Sequence, residues 1–497
     1  MTHPAPYPPF SLPQRQLTLA VSQTVPASGA VGYLVFSGEE PPAATGIDAA
    51  RAAALGFSGK PGDSLVLPGA QGPVVALVGA GKRADADAAS LRDAASLVAR
   101  AVPGHNEIAL VLPQTSLSDE DLASAVLEGT ALARYVHRIG AERPDAILTS
   151  LTLVADAERA TALSAGLQRG EVLVGATKLT RDLCGLPGGM LTATKFGEVA
   201  TEIGTAAGLE VEVFDEQALV ELGCGGLLGV NLGSVEPPVM IKLVYRPAGE
   251  ATGRLSLVGK GIMYDAGGLA LKPGDEVHAT MKNDMTGAAA IFGAMTALGE
   301  LGCTSQVTGF LMCTDNMPSG SALRLGDIIS MRDGTTVEVI NTDAEGRLVM
   351  ADALVLATEE PVDAIVDIAT LTGACLRTFG TDIAGVLGND GPLLDQVKES
   401  AERVDEPVWE LPLAHRYRGE LDSEIADLRN LGGPNAGTIT AALFLNEFVG
   451  EVPWAHIDIA GTAQANAATK WRNKGTTGFG TRLLIDLALH FRVPAAS

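Results

Sequence analysis

Short runs of apolar, β-forming residues alternate with alanine-rich helical segments along most of the 497 residues. In the first third, runs such as 74–81 and 108–113 are expected strands, and 84–102 and 118–140 are expected helices. Such alternation is typical of α/β folds whose strands pair mainly in parallel. The sequence therefore predicts an N-terminal α/β domain with a largely parallel, mixed sheet over residues 1–155.

A proline-free stretch with apolar residues at helical spacing follows at 156–183, and the CGLPGG segment that begins at Cys184 would end a helix there. Beyond it the alternation resumes, with expected strands such as 254–260 and 363–370. These features predict a linking helix over residues 156–184 and a larger α/β sandwich domain over residues 185–497.

The chain is strongly acidic, with 35 Lys and Arg against 59 Asp and Glu and a net charge of -24. That charge opposes general adhesion to nucleic acids or anionic membranes, which bind proteins through cationic groups. Five cysteines without a CxxC pair indicate free thiols and a reducing compartment. No secretory signal or membrane-spanning run is evident. We expect a cytoplasmic protein with no membrane or nucleic-acid partner.

Two segments, 258–290 and 337–354, concentrate ionisable residues beside glycines, and each includes or follows an expected strand. In open α/β sheets, ligands bind beyond the carboxyl ends of the strands. Four carboxylates brought together there would repel one another, and a pair of divalent cations such as zinc or manganese would balance them. The ionisable residues of the two segments that we single out are Lys260, Asp265, Lys272, Asp284, Asp343, Glu345 and Arg347.

Plainer interpretations exist for several polar residues. An isolated Asp343 at a strand end could be a helix cap or a turn residue. His456 and Asp458 lie in the apolar run WAHIDIAG and are interpreted as hydrogen-bonded core residues. Cys375 has no histidine and acid pattern beside it and is interpreted as a packed thiol. The glycines around Gly79–Arg83 lack the full phosphate-loop pattern and indicate a turn.

The octapeptide NTDAEGRL at 341–348 is similar to the signature of the leucyl aminopeptidase family, the two-metal cytosolic aminopeptidases. Other segments resemble the blocks of that family in the same order, over about residues 180–485. They are VGKGIMYDAGGLALKP, MKNDMTGAAA, DIATLTGA, and WAHIDIAG followed by KGTTGFGTRLL. The N-terminal third is only loosely similar.

The resemblance implies a role for each residue that matches a family motif. Lys272 would polarise the scissile carbonyl, and Arg347 would hold a bicarbonate ion that acts as general base. Leu371 and Gly373 would receive the main chain of the substrate. The implied metal ligands, of which Asp265 and Glu345 would bridge both ions, are Lys260, Asp265, Asp284, Asp343 and Glu345. Met281 and Thr476 match positions of the pocket for the N-terminal side chain.

By this resemblance, residues 185–497 form the catalytic two-metal peptidase domain. The expected activity is that of a leucyl-type aminopeptidase, which removes the N-terminal residue of peptides with a water activated by two Zn²⁺ or Mn²⁺ ions. The family also implies a cytoplasmic homohexamer. Two alternatives are a DNA-binding regulatory role and a two-metal hydrolase of another bond, such as a phosphoester. The net charge of -24 and the lack of a basic phosphate cradle weigh against them.

Overall fold

The computed structural model describes residues 7–8, 12, 17–69, 72–140 and 147–495. The chain forms two compact units. The smaller comprises 12–178 and 465–475, and the larger comprises 179–464 and 476–497 together with the described residues before Leu12. Within the described ranges, no helix has both the length and the apolar character that crossing a bilayer requires.

The smaller unit contains a six-stranded mixed sheet in the order β1-β6-β5-β2-β4-β3, as far as the chain is described. Neighbouring strands are parallel except for the edge strand β3, which is antiparallel to β4. The strands are β1 (Thr18–Ser22), β2 (Ala30–Val35), β3 (Ser64–Leu67), β4 (Val74–Gly79), β5 (Glu107–Val111) and β6 (Ser150–Val154). The predicted mixed sheet is confirmed.

Three helices of the smaller unit begin at a polar side chain that caps them. Asp87 Oδ1 accepts a hydrogen bond from Ser90 N at 2.8 Å, so the second helix starts later than predicted. Ser118 caps the third helix in the same way. The helices are α1 (Ala49–Ala54), α2 (Ala88–Ala101), α3 (Asp119–Ala133) and α4 (Ala160–Gly185), of which α4 carries the chain into the larger unit.

Residues 465–475 fold with the smaller unit although they follow most of the larger one in sequence. Arg100 donates hydrogen bonds to Lys470 O at 2.6 Å and to Arg472 O at 2.7 Å. Trp471 is buried in the hydrophobic core of that unit. The two compact units therefore differ at this segment from the domains predicted from the sequence, which place residues 465–475 in the larger domain.

The larger unit is built on an eight-stranded sheet in the order β15-β14-β17-β13-β9-β10-β8-β7, within the described residues. The four central strands β17, β13, β9 and β10 are parallel. The strands of this sheet are β7 (Glu210–Phe214), β8 (Val239–Tyr245), β9 (Arg254–Asp265), β10 (Gln306–Asn316), β13 (Ala364–Ala369), β14 (Ala384–Gly388), β15 (Val408–Glu410) and β17 (Trp454–Asp458). Short strands outside it are β11 (Ile328–Ser330), β12 (Thr336–Glu338), β16 (Leu428–Arg429), β18 (Gln464–Ala465) and β19 (Gly475–Thr476).

Helices cover both faces of this sheet, because alternate strand residues point to opposite sides. Val258 packs into the core with the ninth and twelfth helices, whereas Gly259 lies against Ala288 of the eighth. The helices are α5 (Ala193–Ala206), α6 (Glu216–Leu222), α7 (Gly225–Asn231), α8 (Thr286–Ala297), α9 (Gly346–Thr358), α10 (Gly373–Phe379), α11 (Gly391–Val404), α12 (Gly437–Asn446) and α13 (Thr481–Leu489). The predicted α/β sandwich is confirmed.

Candidate functional site

The site lies where the central parallel strands of the larger unit end. Strand β9 pairs with β13 only as far as Gly259 opposite Ile368, but it continues alongside β10 to Asp265. Lys260 and Asp265 therefore lie on a part of β9 that projects beyond the end of β13. Lys260 has the same strand parity as Val258, so its side chain points to the face covered by α9.

Lys260 is the centre of a buried group of charges. Its Nζ lies 2.7 Å from Asp284 Oδ2 and 2.8 Å from Glu345 Oε1, and it donates to Thr370 O at 3.0 Å. Asp284 ends a 3-10 turn at His278–Asn283, and Glu345 immediately precedes α9. Three separate chain segments thus bring a lysine and two carboxylates together out of contact with solvent.

Lys272 joins two further carboxylates. Its Nζ lies 2.8 Å from Asp265 Oδ2 and 2.7 Å from Asp343 Oδ1. The turn that leads to Lys272 needs glycine at 267, where φ is 88° and an added Cβ would lie 2.8 Å from Asp343 Oδ1 and 2.6 Å from Ala270 O. The tight turn therefore allows Asp343 to approach this cluster.

Two neutral residues that were not singled out from the sequence orient the carboxylates. Asn316 Nδ2 donates to Asp265 Oδ1 at 2.8 Å and to Thr342 O at 3.0 Å. Thr370 Oγ1 donates to Asp284 Oδ1 at 2.7 Å. In the sequence, only their positions at strand ends could have indicated this role, since Asn316 is the last residue of β10 and Thr370 follows β13 directly.

Burial and mutual repulsion perturb the acids of the cluster. Burial raises the pKa of Glu345 to about 8, and the charge of Asp265 adds to the rise. Burial likewise raises the pKa of Asp284 to about 6. Burial alone would lower the pKa of Lys260, but the facing carboxylates Asp284, Glu345 and Asp265 raise it instead. The site thus holds acids that resist ionisation beside a lysine that stays charged.

These residues fit divalent cations. Ligand oxygens of Asp265, Asp284 and Glu345 all lie within 4.8 Å of one another. Asp343, whose side chain is 34% exposed, lies outside this triple and meets it through Lys272. Four carboxyl groups face two ammonium groups, so negative charge remains uncompensated in the cluster even while Glu345, with a pKa of about 8, keeps its proton. Hard cations that prefer oxygen ligands would supply the missing positive charge.

Arg347, the second residue of α9, is 4% exposed. Within the described residues, its buried Nε and Nη1 atoms have no hydrogen-bond partner. Burial lowers the pKa of its guanidinium to about 10, against the opposing effect of Glu345 and Asp458. The side chain remains cationic at neutral pH, and either unused donor, together with the neighbouring Nη2, could hold a planar anion.

The remaining predicted residues lie around this cluster to differing degrees. Leu371 and Gly373 flank Thr372, directly after the Thr370 that contacts Lys260 and Asp284. Met281 belongs to the 3-10 turn that precedes Asp284. Thr476 is buried in β19, where its Oγ1 donates to Arg181 O at 3.1 Å rather than to the carboxylate cluster.

Comparison with known proteins gives consistent matches along the chain. The model of the cytosol aminopeptidase family catalytic domain matches residues 178–485, and that of the family's N-terminal domain matches 43–138. A probable cytosol aminopeptidase of Streptomyces griseus is 43% identical over 489 residues, which covers 93% of this chain and 94% of the relative. A probable cytosol aminopeptidase of Chlorobaculum tepidum is 41% identical, and the match covers 86% of this chain and 87% of the relative.

A solved structure has the same fold. The bottromycin maturation enzyme BotP in complex with Mn superposes with a TM-score of 0.84 at 37% identity, covering 93% of this chain and 98% of BotP. The α/β sandwich carries acids and lysines at the carboxyl edge of its parallel strands, an arrangement that suits a metallohydrolase. The chain belongs to the cytosol aminopeptidase family, as its resemblance to the leucyl aminopeptidases predicted. It is therefore a metal-dependent aminopeptidase that acts on peptides.

Proposed function

We propose that this aminopeptidase removes apolar, leucine-like N-terminal residues by a two-metal mechanism. The observation that carries the proposal is the convergence of Asp265, Asp284 and Glu345 within 4.8 Å around Lys260. With Asp343, these residues would hold two divalent ions. Manganese is favoured because BotP is described in complex with Mn, and zinc is the alternative.

When bound, the metal pair supplies the Lewis acidity that activates a water and holds the free α-amino group. Lys260 can serve as a ligand only when neutral. In the absence of metal, the neighbouring carboxylates favour the protonated form of Lys260. With divalent ions in place, the charge of these carboxylates would be balanced and the ions would disfavour the ammonium form. Lys260 is thus expected to release its proton when the ions bind.

Lys272 is proposed to act on the substrate rather than on the metals, because its side chain is partly exposed to solvent at the edge of the cluster. Its partners Asp265 and Asp343 are also proposed metal ligands, and with ions in place its ammonium group would no longer be held by them. That group could then stabilise the negative charge that develops on the scissile carbonyl oxygen.

Arg347 would hold bicarbonate as the general base. Its Nε and Nη1 donors are buried without a partner in the described residues, and each lies beside Nη2, so either edge of the guanidinium could present a bidentate fork to a planar carbonate-type anion. The backbone of Leu371 and Gly373 would receive the substrate main chain. Met281 and Thr476 would line the pocket for the N-terminal side chain.

Assembly and location follow from the family resemblance. We propose a cytoplasmic homohexamer, with a linking helix over 156–184 between an N-terminal domain of 1–155 and a catalytic domain of 185–497. The net charge of -24 continues to disfavour a DNA-binding role, and the site offers carboxylates and lysines rather than a basic phosphate cradle.

The test of the two-metal site is metal analysis paired with hydrolysis of a leucine anilide. Asp284→Ala and Glu345→Ala should each lose bound metal and most activity, because the ions cannot be held with a ligand missing. Glu276→Ala, in the exposed loop before the 3-10 turn, is the matched control and should behave as wild type. Two retained metals with near-normal turnover in Asp284→Ala or Glu345→Ala would show that the ligand assignment is wrong.

A further inference from the structure

Asp458, the last residue of β17, is completely buried and saturated with hydrogen bonds. Its Oδ1 accepts from the backbone N–H groups of Leu371 at 3.3 Å, Thr372 at 3.4 Å and Ala460 at 3.1 Å. Its Oδ2 accepts from Thr372 Oγ1 at 2.7 Å. The carboxylate thus fixes, through hydrogen bonds, the backbone of the segment that connects β13 to α10.

The preceding residue of that segment is fixed to the proposed metal ligands. Thr370 Oγ1 donates to Asp284 Oδ1 at 2.7 Å, and Thr370 O accepts from Lys260 Nζ at 3.0 Å. Residues 370–372 are therefore held between the metal-binding cluster on one side and Asp458 on the other. A shift of this segment would change its position relative to the metal ligands.

Capping of α10 does not require this carboxylate. Thr372 Oγ1 already accepts from Cys375 N at 3.0 Å and serves as the N-cap. A buried carboxylate is expensive to desolvate, and an apolar residue of similar size is often as stable. A second buried acid, Asp367, lies on the neighbouring strand beside His456, on the same face of the sheet. Two buried acids, Asp367 and Asp458, thus lie on the strands next to this segment, although the packing of the core does not require charged residues there.

We propose that Asp458 is a positioning residue of the aminopeptidase reaction. It holds the Leu371–Gly373 backbone at a fixed position relative to the metal ligands, so that this backbone can receive the substrate main chain. This inference rests on the proposed role of Leu371 and Gly373 in substrate binding. Asp458 itself would touch neither substrate nor metal. Its effect on the substrate main chain would pass through the backbone N–H groups of Leu371 and Thr372 and the Thr372 hydroxyl, while its negative charge also favours the cationic form of Arg347.

The test uses Mn²⁺-loaded full-length enzyme with two substrates, a leucyl dipeptide and a leucine anilide. Only the dipeptide continues as a peptide main chain beyond the scissile bond. Asp458→Ala should lower kcat/KM for the dipeptide by roughly tenfold to a hundredfold, since displaced binding groups and unpaired donors have effects of that order. The anilide should lose clearly less, and the metal content should stay at the wild-type value. Asp458→Asn keeps an acceptor at Oδ1 and should restore most of the dipeptide activity.

Thr372→Val and Thr372→Ser give an independent pair if Asp458→Ala does not fold. The valine variant loses the hydroxyl that donates to Asp458 and caps α10, and it should reproduce the selective loss on the dipeptide, whereas the serine variant keeps both bonds and should not. Equal losses on both substrates, loss of metal, or unchanged dipeptide kinetics in a folded variant would overturn the positioning role. Failure of metal-loaded wild type to hydrolyse either substrate would instead refute the proposed function on which the role rests.

Discussion

Gly346 gives a sharp test of whether the position of Lys260 matters, because an alanine there should favour the helix yet impair the enzyme. Gly346 is the first residue of α9, and a Cβ added to it would lie 2.6 Å from Lys260 Cε, 2.8 Å from Cδ and 2.9 Å from Nζ. To reach ordinary contact near 3.4 Å, the end of the lysine must move by about 0.8 Å.

That movement disturbs three contacts at once, since Nζ is held by Asp284 at 2.7 Å, Glu345 at 2.8 Å and Thr370 O at 3.0 Å. A displacement of about 1 Å in a catalytic site can reduce the rate about a hundredfold. We therefore expect kcat/KM of Gly346→Ala to fall by about two orders of magnitude, or about 2.7 kcal/mol of transition-state stabilisation. Bound metal should fall as well, because Lys260 is a proposed ligand.

The assay is leucine anilide hydrolysis with metal analysis and thermal unfolding on the same preparations. Gly175→Ala is the matched control, because Gly175 lies within α4 and an added Cβ would meet nothing within 4 Å. It should keep full activity and gain up to about 1 kcal/mol of stability from the helix preference of alanine. If Gly346→Ala retained wild-type turnover and metal, the argument that Lys260 must occupy its observed position would fail.

Three further outcomes are expected. Lys272→Met should keep its metals and lower kcat on the order of a hundredfold with little change in KM, since its charge acts on the developing oxyanion; a change confined to KM in steady-state kinetics would contradict this. Wild type is expected to be stimulated when bicarbonate is added to carbonate-depleted buffer, whereas Arg347→Ala should keep both metals but lose that stimulation, and equal stimulation of both would rule out the proposed role. Affinity for Mn²⁺ should rise from pH 6 to pH 8, because protons on Glu345, of pKa about 8, and Asp284, of pKa about 6, compete with the ion at lower pH. Calorimetry in two buffers of different ionisation enthalpy should register proton release, and a pH-independent affinity without release would contradict the expectation.

Charged residues of the site could be predicted from the sequence because they stand beside glycines in or after recognisable strands. Lys260, Asp265, Asp284 and Glu345 do converge in the structure. The neutral residue Asn316 could not be predicted, since an amide at the end of an apolar strand resembles many strand ends that serve no site. Its part becomes visible only when the register of β9 and β10 places it opposite Asp265.

Features that depend on distant contacts were also beyond sequence reasoning. Strand β14 is a short run with two glycines, and it forms a strand through its pairing with β15 and with β17, about 70 residues later. Residues 465–475 join the smaller unit through hydrogen bonds from Arg100, some 370 residues earlier in the chain. Asp458 is a buried, hydrogen-bonded core residue, as its apolar run indicates, but its partners Leu371 and Thr372 lie in another segment and could not be predicted.

The two-metal centre is tested most directly by anomalous diffraction at the manganese edge from crystals of the Mn²⁺-loaded enzyme. Two peaks per subunit are expected among Asp265, Asp284, Asp343 and Glu345, separated by roughly 3.5–4 Å as in other paired-metal sites. Lys260 Nζ should lie within bonding distance of one of them. A single peak, or peaks away from these carboxylates, would contradict the proposed centre.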